Sequence, residues 1–129
     1  MTSTVVENGR VVEGLYAAVR EGDISAVVAL LDPDVVLNEA PSLPFGGVHK
    51  GVEAVVAVYG QVGAVFDVGN VAVEQIFADA DRVVALIELP IRATTDSGIR
   101  SMPIVECFRL RAGKIVEIRP FYWNAAALA

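Results

Sequence analysis

Apolar residues recur at helical spacing through Val5, Val12, Leu15, Tyr16 and Val19, with Gly9 as an interruption. This spacing predicts a first helix over residues 5–20, ended by Gly22. Asp23 then stands where a cap belongs, ahead of a second helix that runs through Ile24, Val27, Val28 and Leu31 and is closed by Pro33. From Asp34 the period falls to two: Val35, Leu37 and Glu39 share one face of a short strand, Val36 and Asn38 the other. Residues 40–51, APSLPFGGVHKG, predict a loop rich in proline and glycine. Helical spacing returns over 52–66 through Val52, Val55, Val56, Tyr59 and Phe66. Gly60 and Gly63 lower the propensity there, which marks either close packing or fraying.

Beyond residue 67 the pattern is mostly that of strands, over 68–78, 82–92, 99–110 and 114–122. Ala-Asp-Ala-Asp, Thr-Thr-Asp-Ser-Gly and Arg-Ala-Gly-Lys punctuate them as hairpin turns. The order predicts an α+β fold in one domain spanning residues 1–129. Three N-terminal helices, with one short strand between the second and third, would pack on a strongly curved mixed or antiparallel β-sheet. No linker, repeat or low-complexity tract interrupts it.

Composition narrows the possibilities. A hydrophobic content of 54% with only 20% charged residues excludes disorder and points to apolar surface buried in a pocket or against a partner chain. The net charge of -6 and the scattering of ten basic residues argue against nucleic acid as a partner. Cys107 is the lone cysteine, so an internal disulfide and a thiolate metal cluster are both ruled out, and it reads as a structural thiol. No apolar run reaches the roughly 18 residues needed to cross a bilayer, and MTSTVVENGR does not read as an export signal. The expectation is a cytoplasmic protein without a membrane partner. GxGxxG, Walker and GxSxG patterns are missing, and His49 has no spaced metal-ligand partners, so neither cofactor nor metal is expected.

The candidate chemistry lies in SMPIVECFRL, residues 101–110. Glu106 shares a strand face with Met102, Ile104, Phe108 and Leu110, and Glu39 stands among apolar neighbours in the same way. A carboxylate in such surroundings is protonated more readily than in water. Two of them in one apolar cavity would let one act as general base while the other, protonated, donates a hydrogen bond. The competing reading pairs them with Arg92, Arg100 or Arg119, or turns them outward at a bulge. His49, the lone histidine, is either a rim residue or an acid–base partner for a carboxylate. Pro44, Phe45, Phe121, Tyr122 and Trp123 form either an aromatic mouth or a closure of the sheet against a second subunit. Glu117 and Arg119 share the opposite face of the last strand and read as solvent or interface residues or as members of a cross-strand salt bridge.

YAAVREGD at 16–23, LLDPDVVLNEAPSLPFGG at 30–47, the glycine-led helix after His49-Lys50-Gly51, and VECFRLRAGKIVEIRPFYWN at 105–124 together resemble the SnoaL-like, ketosteroid-isomerase-related branch of the NTF2-like (cystatin-like α+β) superfamily. The resemblance covers essentially the whole chain. It implies a cone-shaped domain with an apolar pocket between helices and sheet, and a homodimer formed through the sheet face. Glu39 falls where the isomerases carry their proton-shuttling aspartate, and Glu106 where they carry a protonated aspartate that completes an oxyanion site. The isomerases' oxyanion tyrosine matches Leu15 here; Tyr16 is one step, about 100°, further round the helix. Tyr16, Tyr59 or Tyr122 would supply the hydroxyl. The expected site is therefore Glu39, Glu106, Tyr16 and His49, in a pocket lined by Leu15, Phe45, Tyr59, Tyr122 and Trp123. Met102, Ile104, Phe108 and Ile118 would complete that pocket from the strands. The expected function is a cofactor-independent isomerase, cyclase or lyase acting on a small hydrophobic carbonyl compound. A non-catalytic carrier of apolar ligands and a dimerising structural domain are the alternatives.

Overall fold

The computed structural model describes residues 4–92 and 98–128. Helix α1 spans Thr4–Glu21 and α2 Ile24–Ala29. Strands β1 (Leu31–Glu39) and β2 (Gly47–Lys50) follow, then helix α3 (Val52–Val65). Four strands complete the sheet: β3 (Ala72–Ala78), β4 (Arg82–Pro90), β5 (Ser101–Arg111) and β6 (Lys114–Tyr122). Short 3-10 turns at Val68–Asn70 and Ala125–Leu128 flank that run. The sheet order is β2-β1-β6-β5-β4-β3, with β1 parallel to β6 and the other neighbours antiparallel.

Several expectations need correcting. The fold is α+β with three α-helices among the described residues, but only α1 and α2 are N-terminal; α3 comes after the β1–β2 hairpin. The sheet is open, with β2 and β3 as its edges, and is neither strongly curved nor closed. Alternation tells which face a side chain takes and says nothing about the bend of the sheet. Helix α2 ends at Ala29, and Pro33 lies inside β1 rather than ending the helix. It falls between Leu31 and Val36, where the β1–β6 register shifts. An irregularity of that kind tolerates a residue with no N–H to give. Residues 47–50, expected as loop, pair with β1 through Leu37↔His49 and Asn38↔Val48. The turn expected over Thr-Thr-Asp-Ser-Gly lies, apart from Gly98, outside the described residues.

The local chemistry of the junctions explains how the elements are set. Gly22, at φ 66°, ends α1 in the left-handed conformation that closes many helices. The Asp23 side chain accepts the Ala26 N–H at 3.1 Å and starts α2. Asn8 is buried and donates to the carbonyls of Asp79 and Ala80, fastening α1 to the β3–β4 turn. Between β1 and β2 the chain folds so tightly that a Cβ on Gly46 would lie 2.3 Å from the Ala40 carbonyl oxygen. Arg92 donates to the carbonyls of Gly63 and Phe66, serving the end of α3.

The core lies between the helices and one sheet face. Val12, Val55, Val35, Val83, Ile115 and Ile118, drawn from two helices and three strands, are fully buried there. The inward residues of β5 are Met102, Ile104, Phe108 and Leu110, all buried, with Glu106 in their midst.

Candidate functional site

Strand pairing sets the two carboxylates in relation to each other. Glu106 on β5 is flanked by Ala85 on β4 and Pro120 on β6. The parallel pairing Leu37↔Ile118, continued by two residues, brings Glu39 level with Pro120. The row Glu39, Pro120, Glu106 and Ala85 thus crosses the inner face, with the two glutamate backbones two strand spacings, about 10 Å, apart.

Each carboxylate has its own tyrosine. From α1, the Tyr16 hydroxyl donates to Glu106 Oε1 at 2.7 Å, and the ring meets Phe108 edge to face at 6.2 Å. At the end of β6 the Tyr122 hydroxyl donates to Glu39 Oε1 at 2.9 Å, and its ring lies near-parallel to Phe66. Tyr59 on α3 feels the charge of both glutamates, yet its hydroxyl has no hydrogen-bond partner among the described residues.

Burial governs the protonation of this cluster. It raises the Glu106 pKa, against the opposing hydrogen bond from Tyr16. Glu39 is pushed up to about 7 by burial, with the Tyr122 hydrogen bond pulling downward and the charge of Glu106 adding a further rise. Burial and the nearby carboxylates also hold Tyr16, Tyr59 and Tyr122 in the protonated form. The basic partners weighed for the glutamates are engaged elsewhere or exposed. Arg92 reaches Asp67, Arg119 reaches Glu117 two residues away on its own strand, and Arg100 is exposed just outside β5.

Two cavities meet this cluster. A chamber of about 330 Å³ between the helices and the sheet is lined by Leu15, Tyr16, Tyr59 and Glu106, with Val27, Val56, Ile87 and Leu89 among its apolar walls. A more open groove of about 450 Å³, where β1 and β6 end, is lined by Glu39 and Tyr122 with Asn38, Pro41, Val48 and Phe121. The two glutamates therefore face different spaces. Of the residues expected in the pocket, Leu15 and Tyr59 line the chamber and Tyr122 lines the groove. Phe45, Met102, Ile104, Phe108 and Ile118 are buried in the core and line neither cavity, while Trp123 is 83% exposed. His49, on edge strand β2, donates from Nε2 to the Phe45 carbonyl at 3.0 Å and touches neither carboxylate.

Ile87 and Leu89 on β4 and Val56 and Gly60 on α3 were missed from sequence as chamber walls. Ile87 and Leu89 share the inward parity of their strand, and Val56 and Gly60 share one helical face with the expected Tyr59, so the signal was present. Among the described residues no group of three or more His, Cys, Asp or Glu gathers to hold a metal ion.

A SnoaL-like domain model matches residues 12–118, and the chain belongs to that family. No curated protein matches the sequence. Among solved structures, Bal32a from a soil-derived mobile gene cassette superposes with a TM-score of 0.83 at 20% identity, covering 97% of this chain and 95% of that one. RV0760c from Mycobacterium tuberculosis, solved with estradiol-17beta-hemisuccinate, gives 0.72 at 24% identity, with 98% of each chain covered. TerC, co-crystallized with polyporic acid, gives 0.76 at 21% identity, with 93% of each chain covered. At these identities the likeness establishes the shared fold.

Proposed function

We propose that the protein is a cofactor-independent enzyme of the ketosteroid-isomerase or polyketide-cyclase kind, moving a proton next to the carbonyl of a small hydrophobic compound. The observation that carries this reading is the Tyr16–Glu106 hydrogen bond of 2.7 Å in the wall of an apolar chamber, with no basic side chain in that wall. A carboxyl group kept protonated by burial, beside a tyrosine, can donate to an oxygen as it gains negative charge. Glu39, poised at about 7, is matched to taking a proton from carbon at neutral pH. The unpartnered Tyr59 hydroxyl offers one more donor on the chamber side.

Proton exchange in D2O into an enolisable bicyclic ketone such as 2-tetralone, followed by NMR, tests the reading. Wild type is expected to catalyse exchange and Glu39→Gln to abolish it. Glu106→Gln should fold and bind while exchanging more slowly, since one lost oxyanion donor raises the barrier by about 3 kcal/mol. One observation favours a second reading, that of a carrier: Glu39 opens on the groove and not on the chamber. Tight binding of an apolar phenol with no exchange into any enolisable ketone would decide for the carrier.

A further inference from the structure

Four residues of the chamber wall are exposed to solvent: Gly22, Asp23 and Ile24 at the α1–α2 junction, and Gly60 on α3. The remaining wall residues are buried or half-buried. Exposed wall marks the opening of a cavity, so the chamber opens between the α1–α2 junction and the middle of α3. Ile24, 50% exposed, gives that opening an apolar lip.

Gly60 leaves it unobstructed. A Cβ built there meets no atom within 4 Å, so tight packing does not account for the glycine. A glycine in a helix interior costs roughly 1 kcal/mol against alanine. Residue 60 stands one turn beyond Val56, which lines the chamber, so a side chain at that position would stand beside the opening. Gly63 provides an internal comparison. It sits in the same helix with the same free space around it, yet is not part of the wall.

The charge of the wall adds a second constraint. Its acidic and basic residues are Asp23 and Glu106 alone, both acidic. An anion entering there would leave water without gaining a cationic partner, which is unfavourable in apolar surroundings. We propose that the gap between Gly60 and Gly22–Ile24 is the doorway of the chamber, that the missing side chain at Gly60 sets its width, and that a wall without a cationic side chain admits uncharged apolar molecules and turns anions away. The proposal rests on the chamber taking a ligand, and it holds whether that ligand is transformed or only carried.

Stopped-flow fluorescence with 2-naphthol and 2-naphthoate at neutral pH tests it on wild type, Gly60→Ala, Gly60→Leu and Gly63→Leu. Wild type is expected to take up the naphthol and reject the naphthoate. Gly60→Leu should slow naphthol association by about tenfold or more, with Gly60→Ala between the two. Gly63→Leu should match wild type, and neither leucine variant should melt lower than wild type, since leucine is the better helix former. Equal association rates in wild type, Gly60→Leu and Gly63→Leu would overturn the doorway, and naphthoate binding as tightly as naphthol would overturn the charge selection. If Gly60→Leu does not fold, an unchanged rate in Gly60→Ala overturns the doorway in its place. Wild type that binds neither probe overturns the chamber as a ligand site, and the doorway with it. Naphthol uptake without ketone exchange would leave the doorway standing while removing the isomerase reading.

Discussion

Glu39 and Glu106 stand in one row across the inner face of the sheet with Pro120 between them, each held by its own tyrosine. No arginine or lysine neutralises either one among the described residues. Such a pair is coupled through space, and the coupling has a definite sign.

The Glu39 pKa should fall when Glu106 is made neutral and rise when Tyr122 loses its hydroxyl. The charge of Glu106 lifts the Glu39 pKa, while the Tyr122 hydrogen bond lowers it. Carboxyl-carbon NMR titration of wild type, Glu106→Gln and Tyr122→Phe measures both effects. A Glu39 pKa near the free-carboxylate value of about 4.3 in wild type would mean that solvent compensates it and the cluster is not an acid–base site.

Stability should decline as pH rises. Glu39 has a folded pKa raised from 4.5 to about 7, so it binds more protons folded than unfolded between those values. Its contribution is full below the unfolded pKa and is lost as pH climbs through the folded one. The shift corresponds to roughly 3 kcal/mol, and Glu106, also raised, acts in the same direction. Urea denaturation at a series of pH values should show a shallower decline for Glu39→Gln than for wild type. Identical slopes would locate the pH dependence elsewhere.

Much of this cluster could be read from sequence because strands have a period of two. The alternation over 34–39 and 101–110 assigned Glu39 and Glu106 to the face that also carries Leu37, Ile104 and Phe108, and all five do face inward. The hydroxyl that meets Glu106 could not be read in the same way. It depends on how α1 is rotated against the sheet, a matter of tertiary packing; resemblance matched Leu15, whereas Tyr16 makes the bond. Division of the glutamates between two cavities was hidden for a similar reason, since β6 separates them and parity carries no distance. Strand β2 went unseen because its four residues include a glycine and alternate only between half-buried and exposed.

Two copies of the chain should pair through the outer face of the sheet. Leu86, Val105 and Phe121 form a row across three strands on that face, and Val105 and Phe121 are exposed at 37% and 55%. Adjacent apolar side chains left in water favour association. Sedimentation equilibrium should give a dimer for wild type and a monomer for Phe121→Lys. A wild-type monomer at all concentrations would rule this pairing out.

The β5–β6 turn holds a removable strain. Ala112 has φ 52° and is followed by Gly113 at 75°, the left-handed pair of a tight hairpin turn. Left-handed backbone costs a residue with a Cβ about 1 kcal/mol, and asparagine bears it better than alanine. Ala112→Asn should therefore raise stability by up to about 1 kcal/mol, with ligand binding unchanged, as read by urea midpoint.

Removal of the Tyr16 and Tyr59 hydroxyls should separate a structural bond from a ligand bond. Tyr16 is committed to Glu106, so Tyr16→Phe strips a buried carboxyl of its donor while keeping the ring against Phe108. A buried group left without its partner costs about 1–3 kcal/mol, and that loss should appear in denaturation with no ligand present. The Glu106 pKa should rise further in this variant, because the hydrogen bond now opposes burial. Tyr59 breaks no such bond when it becomes phenylalanine, since its hydroxyl has no partner among the described residues. Tyr59→Phe should therefore unfold at the wild-type urea midpoint while binding 2-naphthol about five- to tenfold more weakly, the value of one hydrogen bond. Loss of stability in Tyr59→Phe with unchanged naphthol affinity would reverse the assignment and make Tyr59 a packing residue.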